Sequence, residues 1–188
     1  MNTAKIDPRA IRTRRLITDS FDQLMSYKDF DHISVKDITS LATINRATFY
    51  SHFVDKYELA DVMLTEKIQE IMNEHFNCFE ELDEKMIIKM FQSISQIHKN
   101  LFTNCRRGYD TFGQMIEEKV KEAITLIVSH LLKTDNRLEA SMFSWALYGA
   151  FVEWELTSKE TLEDFAKTAA SALLQIIDTS LNEKIKVV

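Results

Sequence analysis

Three glycines and one proline leave this 188-residue chain little with which to turn sharply. Strand-rich folds need turn-forming residues at short intervals, and the proline, Pro8, stands near the start. Met, Leu, Ala, Lys, Glu and Gln are plentiful. The expected fold is all-α, and the length allows one large domain or two small ones with a substantial core.

Charge divides the chain. Residues 1–56 carry nine Lys/Arg against seven Asp/Glu, and residues 57–188 carry 14 against 22. Lys5, Arg9, Arg12, Arg14 and Arg15 face only Asp7 in the first 15 residues. A basic arm on an acidic body suggests one module for a polyanion and another for a different task; an ordinary solvated terminus would look the same. No apolar signal segment opens the chain. The longest uncharged apolar stretch, Ala140 to Val152, has 13 residues, short of the roughly 20 that span a membrane. The expectation is a cytoplasmic protein with no membrane partner. Cys78 and Cys105 are far apart and read as free core cysteines, not as a zinc site or a disulfide.

Apolar spacing predicts a first helix from Asp7 or Pro8 to Ser26, with Ile17, Phe21, Leu24 and Met25 on one face. Ser34 with Asp37 forms a capping box for a second helix ending near Ala42. Thr43-Ile44-Asn45 turns the chain, and Asn45 caps a short third helix, Arg46 to Phe53. Longer helices follow at about Tyr57–His75, Asp83–Asn100, Thr111–Leu132, Arg137–Thr157 and Thr161–Leu181, with a brief helical turn possible near Leu101–Cys105. Two short helices joined by three residues have the size and order of a helix-turn-helix.

The third helix can be tested on its wheel at about 100° per residue. With Arg46 at 0°, Phe49 and Phe53 fall at about 300° and 340°, one apolar edge facing the core. Ala47, Ser51 and Thr48 lie opposite, at about 100°, 140° and 200°, where small side chains let a helix approach base edges. Tyr50 and His52 flank the two sides, where a groove would present phosphates. Eight residues span roughly 12 Å, the scale of the major groove.

Residues Ser34 to Ile38 and Ala42 to Leu59 resemble the TetR/AcrR family signature. Its strong part, Thr-Phe-Tyr-x-His-Phe-x-x-Lys-x-x-Leu, is here Thr48 to Leu59, and the likeness covers about residues 10–60. The resemblance implies a three-helix DNA-binding domain, residues 1–56, before a helical effector-binding and dimerisation domain, residues 57–188. It implies that Lys36 reaches a base edge or the adjacent backbone. Arg46, Ala47 and Thr48 would face bases, Arg46 being suited to guanine. Tyr50, His52 and Lys56 would hold phosphates, with the backbone N–H groups that begin the fourth helix. Arg12 and Arg14 would add phosphate or minor-groove contacts. Where the family usually has Gly, this chain has Thr43; a β-branched residue suits positive φ poorly, so the turn either changes geometry or carries strain.

The last two long helices are apolar on more than one side. Leu138, Met142, Trp145, Gly149, Val152 and Leu156 follow one line, and Phe143, Leu147, Phe151 and Trp154 another. In the final helix Phe165, Ala169, Leu173 and Ile176 form one line, and Leu162, Ala166, Ala170, Leu174 and Ile177 a second. Such helices must be covered twice, by a partner chain or by deep burial within one chain. The resemblance favours a homodimer through these two helices on a palindromic double-stranded DNA operator. It further implies a regulator, usually a repressor, released by a small effector; the alternative is an adaptor whose C-terminal domain binds a protein. Bulky adaptable residues, among them Phe91, Phe112, Met115, Met142, Trp145 and Tyr148, could line a site for an apolar effector, with His98 and Tyr109 as its polar contacts. The same residues would equally build an ordinary core. His32, His52, His75, His98 and His130 show no metal or catalytic spacing, and no Gly-rich phosphate loop is present. Neither an enzyme nor a cofactor is expected.

Overall fold

The computed structural model describes residues 7–76, 81–101, 111–132 and 137–185, with side chains described as far as Gln175. Cys78, Cys105, Tyr109 and most of the turn expected near Leu101–Cys105 lie outside the described residues.

Eight α-helices and one short 3-10 turn are described: α1 Pro8–Met25, the turn Phe30–His32, α2 Val35–Leu41, α3 Arg46–Tyr50, α4 Lys56–Phe76, α5 Glu84–Leu101, α6 Thr111–Leu131, α7 Arg137–Thr157 and α8 Leu162–Ile185. Local chemistry accounts for the starts. Asp7 accepts a hydrogen bond from the Arg9 amide at 2.9 Å, with Pro8 in the first turn of α1. Ser34 and Asp37 exchange backbone and side-chain bonds in a full capping box at α2, worth about 1 kcal/mol. Lys28 donates to the same Asp37 carboxylate at 2.8 Å. The bonds from Lys28 and Ser34 hold that carboxyl well below the usual carboxylate range.

Two helices end differently from expectation. Helix α3 closes at Tyr50 rather than Phe53, because the His52 amide reaches back only three residues, to Phe49 O. Helix α8 continues to Ile185, beyond Leu181. The 3-10 turn has no periodic signal in the sequence and was not expected.

The chain divides into two compact units. The first holds Met1–Lys67 and Leu101–Ile116; the second holds Ile68–Asn100 and Glu117–Val188. The first unit therefore runs past the expected border at residue 56, because the opening turns of α4 bury Leu59, Ala60, Met63 and Leu64. Lys67 also pairs there with Asp22 of α1. The core of this unit gathers Ile17, Phe21, Phe30, Ile38, Phe49, Phe53 and Phe112. The ring of Phe112 stacks on Phe30 at 5.3 Å.

The second unit buries Met86, Ile87, Phe91, Ile94 and Ile97 of α5, Val120, Ile124 and Val128 of α6, and Phe143, Leu147 and Phe151 of α7. The other line of α7 faces outward: Leu138, Met142, Trp145 and Leu156 are each more than 60 % exposed. Helix α8 departs from the two-sided reading. Its two lines merge into one buried band at Ala166, Ala170 and Leu173. Its outer side carries Glu163, Asp164, Lys167, Thr168, Ser171 and Gln175. Only α7 combines a buried and an exposed apolar face among the described helices of this pair. Among the described residues no helix is long and apolar enough to cross a membrane.

Candidate nucleic-acid interface

Helix α3 is short, so its caps matter more than its length. Asn45 Oδ1 accepts from the Thr48 amide at 2.7 Å and from Thr48 Oγ1 at 3.0 Å. Ser51 Oγ closes the other end on Thr48 O at 2.7 Å. Phe49 and Phe53 are essentially fully buried, and each such side chain contributes about 1.5–3 kcal/mol of burial. The edge expected to face the core does so.

Arg46, Ala47, Tyr50 and Ser51 are exposed, while Thr48 and His52 are half-buried. The Tyr50 ring meets Phe49 edge to face at 5.5 Å, which aims it while leaving most of it in solvent. Lys36 stands exposed in the first turn of α2. These seven residues lie on α2, on α3 and in the turn that ends α3, and are free to meet an outside surface. Arg12 is also exposed. Arg14 is not a free arm: its guanidinium sits 4.6 Å over the Phe53 ring, tying α1 to the segment that follows α3.

The turn keeps its left-handed geometry despite Thr43, whose φ is +55°. The Ile44 amide bonds to Thr39 O at 3.0 Å and the Thr43 amide to Ser40 O at 3.3 Å. This is the Schellman closure that normally uses Gly. The turn closes as it would with glycine, and the threonine carries the strain, on the order of 1–2 kcal/mol.

Lys56, expected to hold a phosphate, is engaged within the protein. Its Nζ donates to Phe30 O at 2.9 Å, Ile33 O at 3.0 Å and Asp31 O at 3.1 Å. It also lies 4.6 Å from the Phe30 ring centroid. Burial lowers its pKa, partly opposed by the charge of Asp31. The start of α4 is likewise no open anion site. Asp55 Oδ1 accepts from the Tyr57 and Glu58 amides, both at 2.8 Å, and Glu58 accepts from the Val54 amide. No sequence pattern announces these bonds, because the acceptors for Lys56 are backbone carbonyls 23 to 26 residues away.

Among the residues expected to line an effector site, Tyr109 lies outside the described residues. Phe112 belongs to the core of the first unit. Met142 and Trp145 point outward from α7, because its opposite face fills the core. His98 lies in the second unit beside Tyr148, which the sequence grouped with it, and beside Glu155, which it did not. Its Nδ1 is 3.5 Å from Glu155 Oε2 and its Nε2 is 3.2 Å from the Tyr148 hydroxyl. A proton on Nδ1 satisfies both, with Tyr148 donating to Nε2. Burial pushes the His98 pKa down, against the pull of Glu155, and pushes Tyr148 up. Nearby Lys121 is buried, bonded to Glu117 Oε1 at 2.7 Å and seated 3.4 Å over the Trp145 ring.

Two short capped helices, the second presenting small and basic side chains outward from a buried aromatic edge, have the form of a helix-turn-helix. Residues 17–63 match the family described as bacterial regulatory proteins, tetR family, so this segment is similar to that family. Over 70 residues, 37 % of this chain and 18 % of the relative, it is 39 % identical to an uncharacterized HTH-type transcriptional regulator, YxbF, of Bacillus subtilis (strain 168). Over 89 residues, 47 % of this chain and 48 % of the relative, it is 28 % identical to the HTH-type dhaKLM operon transcriptional activator DhaS of Lactococcus lactis subsp. lactis (strain IL1403). The matched segments thus span less than half the length of either relative. In fold, the chain resembles a TetR transcriptional regulator from Streptococcus agalactiae 2603V. The TM-score is 0.58 at 15 % identity, over 92 % of this chain and 99 % of that one.

Proposed function

We propose that this protein is a sequence-specific transcriptional repressor that binds a palindromic operator as a homodimer and leaves it when a small effector occupies the second unit. The observation that carries the DNA-binding part is the outward face of α3. Arg46, Ala47, Thr48 and Ser51 would meet base edges, Tyr50 and His52 the flanking phosphates, and Lys36 the backbone beside them. The exposed line of α7 supports the dimer. Leu138, Met142, Trp145 and Leu156 form an apolar face that a second copy would cover, with the small and polar outer side of α8 alongside. Support for the effector is narrower. The His98, Tyr148 and Glu155 group places polar contacts beside the buried apolar side chains of the second unit.

The test is selection of binding sites from random duplex DNA, followed by sedimentation of the protein. An enriched inverted repeat with half-sites about 10–10.5 base pairs apart, or a multiple of that, is expected from a dimer. No enriched sequence would overturn the reading. A second reading, an adaptor whose second unit binds a protein, is favoured by the outward turn of Met142 and Trp145, and one relative is named an activator. A thermal-shift screen of apolar and amphipathic metabolites separates the two. A compound that both stabilises the protein and weakens DNA binding supports the effector; none doing so supports the adaptor.

A further inference from the structure

We infer that Ser51 sets operator specificity as an obligate hydrogen-bond acceptor. On the strand it meets, it selects an amino base, adenine or cytosine, over a keto base, guanine or thymine. The selection rests on the DNA-binding reading of α3; the state of the hydroxyl is a property of the free protein.

A serine hydroxyl ordinarily has one proton to give and two lone pairs to accept with, so it can serve either kind of base edge. Here the proton is already used. Ser51 Oγ donates to Thr48 O at 2.7 Å. A regular helix would give that carbonyl the amide four residues on, which belongs to His52. The His52 amide goes instead to Phe49 O at 2.9 Å, and shares it with the Phe53 amide at 3.0 Å. The hydroxyl thus stands in for a backbone donor that the closing turn of α3 has redirected. Turning its proton outward would take this donor from Thr48 O and loosen the end of the helix. What Ser51 shows to solvent is its lone pairs.

Those lone pairs lie on the outer side. Ser51 is exposed, and its φ of −77° and ψ of −12° keep it on the right-handed spiral of α3. It stands about 140° around and roughly 7.5 Å along the axis from Arg46. Base pairs stack about 3.4 Å apart, so the two residues meet different pairs.

Major-groove donors come from adenine N6 and cytosine N4 alone; guanine presents N7 and O6, and thymine O4 and a methyl group. Every base pair therefore has one amino and one keto base. An acceptor held toward one strand reads which way round the pair lies. It accepts adenine or cytosine on the near strand and meets another acceptor when the pair is reversed. Arg46, which can only donate, reads the opposite class.

The test is selection of sites from random duplex DNA by the unmodified protein, by Ser51→Ala and by Ser51→Thr, with folding followed by circular dichroism. The parent should show one position per half-site where adenine and cytosine are both favoured over guanine and thymine on the same strand. The preference should be about three- to tenfold, the scale of one hydrogen bond. Ser51→Ala should level that position and leave the one read by Arg46, and Ser51→Thr, which keeps a hydroxyl for Thr48 O, should retain it. A Ser51-dependent position that favours guanine or thymine means a donating hydroxyl and overturns the inference. The second measurement needs only the unmodified protein and its selected operator, with N6-methyladenine or N4-methylcytosine replacing each amino base of the half-site in turn. The methyl group covers the major-groove N–H, and one replacement per half-site should lower affinity by a similar factor. No loss at any amino base overturns the inference, even if Ser51→Ala does not fold. A parent that enriches no sequence removes the DNA-binding reading and the base selection with it. Enrichment that Ser51→Ala leaves unchanged at every position removes the base selection alone.

Discussion

Helices α3 and α7 each bury one aromatic edge and turn another face to solvent, yet their exposed faces have opposite chemistry. Behind α3 stand Phe49 and Phe53, and in front are a guanidinium, a methyl group and hydroxyls. Behind α7 stand Phe143 and Phe151, and in front are Leu138, Met142, Trp145 and Leu156. Amphipathicity anchors both helices, and the unanchored side specifies the partner. Small polar groups can exchange water for base edges at little cost. Large apolar groups gain only when another apolar surface covers them.

The largest expected effect breaks the α7 side of this comparison. Met142→Glu would place an unpaired carboxylate in the proposed dimer interface and should weaken dimerisation by at least about 2 kcal/mol, roughly thirtyfold, without unfolding the chain. Ala170→Glu should instead unfold the second unit, because Ala170 is wholly buried within it. Sedimentation and circular dichroism separate the two; a Met142→Glu protein that remains dimeric would remove α7 from the interface.

On the α3 side, Arg46→Ala should cost about 1–3 kcal/mol at one base pair of each half-site and relax its specificity. Tyr50→Phe should weaken all sequences alike and by less. Competition between operator variants measures both, and equal loss on operator and random DNA for Arg46→Ala would take it out of the base-reading set.

Acid should expose a difference between the interiors. His98 and His75 in the second unit both have pKa values lowered by burial. The unfolded chain then takes up protons before the folded one, so stability present above the ordinary value of 6.5 is lost as pH falls through the folded values. Melting temperature should drop on acidification below pH 6.5, and less steeply in His98→Gln. An identical pH profile in that variant would assign the loss elsewhere. A further loss below 3.8 is expected from Asp37, whose pKa is depressed in the first unit.

The smallest effect concerns the turn before α3. Thr43→Gly removes a left-handed strain of about 1–2 kcal/mol and adds roughly 0.5–1 kcal/mol of unfolded-chain entropy. A net gain of up to about 1.5 kcal/mol, or a rise of up to roughly 3–6 °C in melting temperature, should follow with DNA affinity unchanged. A fall in stability would mean that the Thr43 side chain makes a stabilising contribution larger than its strain.

What the sequence determined alone is local: capping pairs, helical periods and the aromatic edge of α3. Ser34 with Asp37, Asn45 with Thr48 and Phe49 with Phe53 are separated by three or four residues, so one turn of helix brings them together whatever the rest of the chain does. The face of α7 was also legible, as two apolar lines on one helix, although which line is buried was not. Tertiary structure decided the rest. It directed Lys56 onto carbonyls 23 to 26 residues away, laid Arg14 on Phe53, moved Phe112 into the first unit and drew His98 to Tyr148 and Glu155. It also merged the two lines of α8 into one buried band. A flexible side chain has many reachable partners, and backbone carbonyls are the same at every residue. Only the packed arrangement of helices selects among them.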